Sequence, residues 1–138
     1  MAKGRVLVVD DAKPIVMVIE TNLKIAGYDV ITAFNGRQAM EKLREHRPDC
    51  VILDVMMPEM NGWETLEAIR NDDSIAHTQV IMLTALGDDS DVSRGYDLGV
   101  DMYLTKPFEP DELLEFVARV MEIAHDRELV GDEDDEDL

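Results

Sequence analysis

Four stretches of this sequence place polar side chains directly behind apolar ones. Asp10-Asp11 follows Val6-Leu7-Val8-Val9, Asp54 follows Val51-Ile52-Leu53, Thr84-Ala85 follows Val80-Ile81-Met82-Leu83, and Thr105-Lys106-Pro107 follows Met102-Tyr103-Leu104. Carboxylates crowded into a partly buried pocket repel one another, so they must take up protons or hold a cation. An oxygen-only donor set with room for water and an incoming phosphoryl oxygen suits Mg2+. Lys106 supplies a further positive charge, Thr84 can donate a hydroxyl hydrogen bond, and Ala85 is small enough to leave space for a phosphoryl group. Singly, each has an ordinary reading: an Asp behind a strand is commonly a cap or turn residue, and Thr is a good strand residue. The joint pattern, in this order, points to chemistry.

The elements that must position these groups are legible from patterning. Five short apolar runs recur, the four above and Tyr28 to Thr32, and four of the five are continuous rather than alternating, as strands buried on both faces should be. Helical segments separate them. Pro14 suits a first helical turn and Gly27 a stop after Ala26. Asn35 can cap a helix whose Ala39, Met40 and Leu43 share a face, and Pro110 with Asp111 can open a last helix bearing Leu114, Val117 and Met121. A further helix is expected around Asp91 to Leu98. Strands alternating with helices predict an α/β fold, a parallel sheet covered on both faces, in which functional groups gather beyond the carboxyl ends of the strands.

The chain of 138 residues, 46% of them hydrophobic, is sized for one domain with one sizeable core. Its formal net charge is −18, and with no local basic cluster it should not bind nucleic acid directly. Residues 126–138 form an acidic, expectedly disordered tail behind a domain over 1–125, and the body stays acidic without it. No leader or membrane segment precedes the first strand, so a cytoplasmic protein without membrane insertion is expected. Cys50 has no partner for a disulfide and reads as a small buried hydrophobe; His46, His77 and His125 stand at no metal-ligand spacing.

With these residues in view, the chain resembles the response-regulator receiver domain over residues 4 to 125. The match rests on Val8-Val9-Asp10-Asp11, on Leu53 to Gly62 (Leu-Asp-Val-Met-Met-Pro-Glu-Met-Asn-Gly), on Leu83-Thr84-Ala85 and on Tyr103-Leu104-Thr105-Lys106-Pro107-Phe108. The resemblance implies a flavodoxin-like, doubly wound sheet of five strands in the order 2-1-3-4-5. It also implies a phosphorylation-activated switch of a two-component phosphorelay, not an enzyme acting on an outside substrate. Asp54 would accept a phosphoryl group from a sensor histidine kinase or histidine phosphotransfer protein. Asp10, Asp11, Asp54 and the backbone carbonyl of Met56 would hold Mg2+, and Thr84, Ala85 and Lys106 would surround the phosphoryl oxygens. Thr84 and Tyr103 would form the coupled switch that biases the surface of the fourth helix, fifth strand and fifth helix. Ile15, Val18, Pro107 and Phe108 would dock the donor, and Met56 and Leu86 would set the lifetime of the phosphoryl group.

Two other readings compete. An aspartyl phosphatase of the haloacid-dehalogenase type also uses an Asp behind a parallel strand, but resembles Asp-x-Asp, and here the second position is Met56. A pseudo-receiver would scaffold partners without phosphorylation, yet all five receiver positions are intact. Output is expected to pass to a separate effector protein. Winged-helix members of the family pair through charged residues where this chain has Val92, Met102, Phe116 and Ile123, although Asp101 and Glu112 are retained; that departure argues against their dimer. Gln79 stands where Pro is common before the fourth strand.

Overall fold

The computed structural model describes the backbone of residues 3–85 and 98–137, and side chains as far as 126. Leu86, Val92 and the helix expected around Asp91 to Leu98 lie outside the described residues, except Leu98 itself, which is in a turn. The elements are β1 (Arg5–Val9), α1 (Lys13–Ile25), β2 (Asp29–Ala33), α2 (Gly36–His46), β3 (Cys50–Asp54), α3 (Gly62–Asn71), β4 (Gln79–Ala85), β5 (Met102–Lys106) and α4 (Pro110–Asp137). The strands form one parallel sheet in the order β2-β1-β3-β4-β5. This is the doubly wound order that the resemblance implies.

Alternation along each strand feeds two cores. Leu7, Val9, Val51, Leu53, Val80 and Met82 pack toward α2 and α3, while Val6, Val8, Cys50, Ile52, Ile81 and Leu83 pack toward α1 and α4. The continuous apolar runs of β1, β3 and β4 are thereby explained: both faces are covered. β2 lies at the edge and its middle three residues are only half buried.

Local signals behave as their chemistry predicts. The Asn35 side chain accepts from the Gln38 N–H at 2.8 Å and starts α2, and Gly27 follows α1 with a φ of 101° that few other residues adopt without strain. In α1, Val16, Ile19 and Leu23 form the buried stripe, whereas Met17 (64%) and Val18 (53%) are exposed. Five apolar residues in succession span more arc than one buried face can hide.

α4 opens at Pro110, as the sequence reading expects, and its backbone stays helical through Asp137. The acidic segment set apart from 126 onward thus continues a helix in backbone, where disorder was expected. Propagation adds one hydrogen bond per residue to a helix already nucleated on the core, although the last turn holds no base to offset the helix dipole.

At the amino ends of β4 and β5, Arg70 gathers the chain. Its guanidinium donates to the carbonyls of Gly99 (2.7 Å), Ala76 (2.8 Å) and Thr78 (2.7 Å) and pairs with Asp101 at 3.0 Å. The same Asp101 oxygen accepts from the Val80 N–H at 2.7 Å. Asp101, counted from sequence among retained dimer residues, is therefore engaged within its own chain. Nearby, the fully buried amide of Gln79 has no hydrogen-bond partner among the described residues at either its nitrogen or its oxygen. Among the described residues, no helix is long and apolar enough to cross a membrane.

Candidate functional site

The polar groups read from sequence converge at the carboxyl ends of the strands. Asp10 and Asp11 follow β1, but Asp54, Thr84, Ala85, Thr105 and Lys106 belong to their strands rather than following them. The ladders simply run further than the apolar runs: Asp54 pairs with Leu83, Thr84 with Thr105 and Ala85 with Lys106.

Carboxylate oxygens of Asp10, Asp11 and Asp54 all lie within 4.8 Å of one another. Asp10 and Asp54 are buried and Asp11 is exposed. The Lys106 ammonium spans the two buried groups, at 3.0 Å from Asp10 Oδ2 and 3.1 Å from Asp54 Oδ1. The other Asp10 oxygen accepts from the Ala12 N–H at 2.9 Å, which fixes the turn into α1.

These contacts set the charges. Burial first, and the neighbouring Asp10 charge second, push the Asp54 carboxyl above the ordinary range; the Lys106 hydrogen bond and charge and the Met56 N–H pull it only part of the way back. Burial alone would lower the Lys106 ammonium, but hydrogen bonds and charges from Asp10 and Asp54 outweigh it and leave the group raised. One lysine does not balance the cluster. An oxygen-only set carrying surplus negative charge can coordinate a divalent metal.

Thr84 is buried and Ala85 exposed, side by side at the end of β4. Met56 stands 72% exposed at the rim of an open cleft of about 490 Å3 that Asp11, Pro58, Asn61 and Trp63 also line. On the other side of the site, Ile15, Val18, Pro107 and Phe108 line one apolar groove of about 540 Å3 together with Pro14, Ala85, Lys106 and Pro110. A cis peptide joins Lys106 to Pro107. Tyr103 is half buried and its ring meets Trp63. Trp63 went unremarked in the sequence reading; the signal available was a sole tryptophan beside the loop glycine Gly62.

Residues 6–118 match the family model of the response regulator receiver domain. The chain belongs to that family. This receiver is 45% identical over 111 residues to the ycf27 protein of Guillardia theta, covering 80% of this chain and 42% of that protein. It is 41% identical over 109 residues to the alkaline phosphatase synthesis transcriptional regulatory protein PhoP of Bacillus subtilis, covering 79% of this chain and 45% of that one. The receiver thus spans somewhat under half the length of the curated relatives it matches. Among solved structures, the chemotaxis response regulator CheY4 of Vibrio cholerae superposes with a TM-score of 0.80 at 38% identity, covering 87% of this chain and 98% of that one. The receiver is accordingly a regulatory phosphoacceptor domain of phosphorylation-based signalling.

Proposed function

We propose that this receiver is a Mg2+-dependent switch in which Asp54 takes a phosphoryl group from the phosphohistidine of a sensor histidine kinase or phosphotransfer protein. One observation carries the reading: the oxygens of Asp10, Asp11 and Asp54 lie within 4.8 Å of one another, and the Lys106 ammonium bridges two of these carboxylates. In transfer, an Asp54 oxygen attacks phosphorus as the histidine N–P bond breaks, and the bonding pair returns to the imidazole. Lys106, already bonded to Asp54, binds an oxygen of the phosphoryl group that arrives there, and the Thr84 hydroxyl donates to another beside the small Ala85. When bound by Asp10, Asp11, Asp54 and the Met56 carbonyl, Mg2+ supplies charge neutralisation at the phosphoryl oxygens. Asp54 presents its carboxylate in a fixed place, so the protein's contribution is mostly positioning.

Thr84, drawn toward the phosphoryl group, frees space into which Tyr103 turns, and the changed surface is read by an effector protein through direct contact in the cytoplasm. The apolar groove of Ile15, Val18, Pro107 and Phe108, bordering Lys106, is the donor's docking site. Water attack at phosphorus returns the Asp54 carboxylate and releases inorganic phosphate; Met56 and Leu86 offer that water no useful hydrogen bond and keep the phosphorylated state long-lived. Residues 1–125 carry these activities.

Acetyl phosphate or a phosphorylated histidine phosphotransfer protein as donor, with Mg2+ or with EDTA, tests the reading. Intact mass should gain one phosphoryl group with Mg2+, lose most of that gain in EDTA or in Asp11→Ala, and show none in Asp54→Asn. Undiminished labelling in EDTA removes the metal role, and labelling of Asp54→Asn moves the acceptor elsewhere.

A further inference from the structure

Trp63 sits in the first turn of α3 and is 3% exposed. That turn is pressed onto the backbone that carries Asp54. The Gly62 N–H donates to the Val55 carbonyl at 2.9 Å, and a Cβ added at Gly62 would collide with the Asp54 carbonyl oxygen and lie 2.9 Å from Met82 Cε. A reciprocal capping box between Asn61 and Glu64 fixes the helix start independently. The indole therefore has little freedom to move relative to Asp54.

Trp63 also meets Tyr103, the proposed switch residue. The rings of Trp63 and Tyr103 lie 6.3 Å apart between centroids at an interplanar angle of 58°, a tilted arrangement that aromatic pairs favour. Tyr103 belongs to edge strand β5, and Met82 of β4 pairs with both Leu53 and Tyr103 across the sheet. Met82 also approaches Gly62 from beneath, so a contiguous row runs from the strand bearing Asp54, under the helix start, to the ring of Tyr103.

We propose that Trp63 is a positioning residue for the switch: it ties the Tyr103 ring on the edge strand to the backbone of Asp54, so that one aromatic contact senses phosphorylation and sets the ring's orientation. This inference rests on Asp54 being the phosphoacceptor. Discrete packing of this kind transmits small shifts because the two rings fit together in few arrangements. Trp63 is the single tryptophan of the chain, so its emission reports on that contact without labelling.

The experiment follows Trp63 emission in wild type, Tyr103→Phe and Tyr103→Leu, first with Mg2+ alone and then with Mg2+ and acetyl phosphate, with intact mass giving the phosphorylated fraction of each sample. Wild type should change its emission on phosphorylation. Tyr103→Phe, which keeps the ring, should retain most of the change, and Tyr103→Leu should lose at least about half of it at equal phosphorylation. Equal changes in all three proteins overturn the proposal. So does phosphorylated wild type whose emission matches the Mg2+-only sample, an outcome that stands even if Tyr103→Leu fails to fold. Absence of any mass gain in wild type is a different failure: it removes the phosphoacceptor reading itself, and this proposal with it.

Discussion

At the carboxyl ends of β1, β3 and β5, three carboxylates cluster and two of them share one lysine, whereas at the amino ends of β4 and β5 one arginine serves three carbonyls and a carboxylate. The first set carries surplus negative charge, and burial with the Asp10 charge holds Asp54 above its ordinary range. In the second, Arg70 and Asp101 neutralise each other, and the guanidinium fork donates to three backbone carbonyls. The same fold thus leaves charge uncompensated where a ligand must be attracted and compensates it where loops must be fixed. Gln79 complicates the contrast, since its buried amide has no partner among the described residues at the structural end, where no ligand is expected.

The strongest way to sharpen this comparison acts at the reactive end. Met56→Asn with Leu86→Glu should shorten the lifetime of the phosphorylated state by on the order of tenfold, because polar groups can then hold a water in line with phosphorus. Decay of the phosphorylated mass in excess Mg2+ measures it; unchanged or slower decay rules out water exclusion as the controlling step. At the other end, Arg70→Ala should cost about 2–3 kcal/mol, since it strands the Asp101 carboxylate and several carbonyls. Urea unfolding reads this, while acetyl phosphate labelling of the folded fraction should persist. A matching loss of labelling would mean that the two ends are not separable.

Gln79→Met should act in the opposite direction, stabilising the receiver by about 1–2 kcal/mol by removing a buried amide without partners. A destabilised variant would show that the amide is satisfied in solution. The smallest effect concerns Asp54 in the metal-free protein. Its folded pKa is raised, so its contribution to stability is full below the unfolded pKa and is lost as pH rises through the folded value. In EDTA, Asp54→Asn should therefore melt above wild type at neutral pH, with the gap closing as pH falls through the raised pKa. A gap that widens on acidification would contradict the sign of the shift.

Much of this was readable from the amino-acid sequence, for identifiable reasons. Strands buried on both faces leave continuous apolar runs, so β1, β3 and β4 announce themselves, and the strand-end rule then places Asp10, Asp11, Asp54 and Lys106 together. Ile15 and Val18 are the α1 residues that the resemblance implies in donor docking; Val18 is exposed but Ile15 is half buried, and Met17 is the more exposed neighbour. A run of five apolar residues does not reveal which arc faces the core until the docking of the helix is known. The Arg70 clamp was invisible because its partners are mostly backbone carbonyls, which leave no mark in a sequence, and a base in the last turn of α3 reads as an ordinary complement to the helix dipole. The Trp63–Tyr103 contact joins a helix start to an edge strand, a pairing that no local spacing encodes.

The lysine bridge also has a consequence for synthesis. Lys106 lies 96 residues after Asp10 and 52 after Asp54, on the last strand in sequence, at the sheet's edge. A nascent chain emerging from the ribosome therefore displays both buried carboxylates long before their shared cation is made. Under the proposed function, a chain halted before β5 holds Asp54 but not the ammonium that would receive the incoming phosphoryl oxygens, so it should take up a phosphoryl group less readily than a chain that includes the last strand.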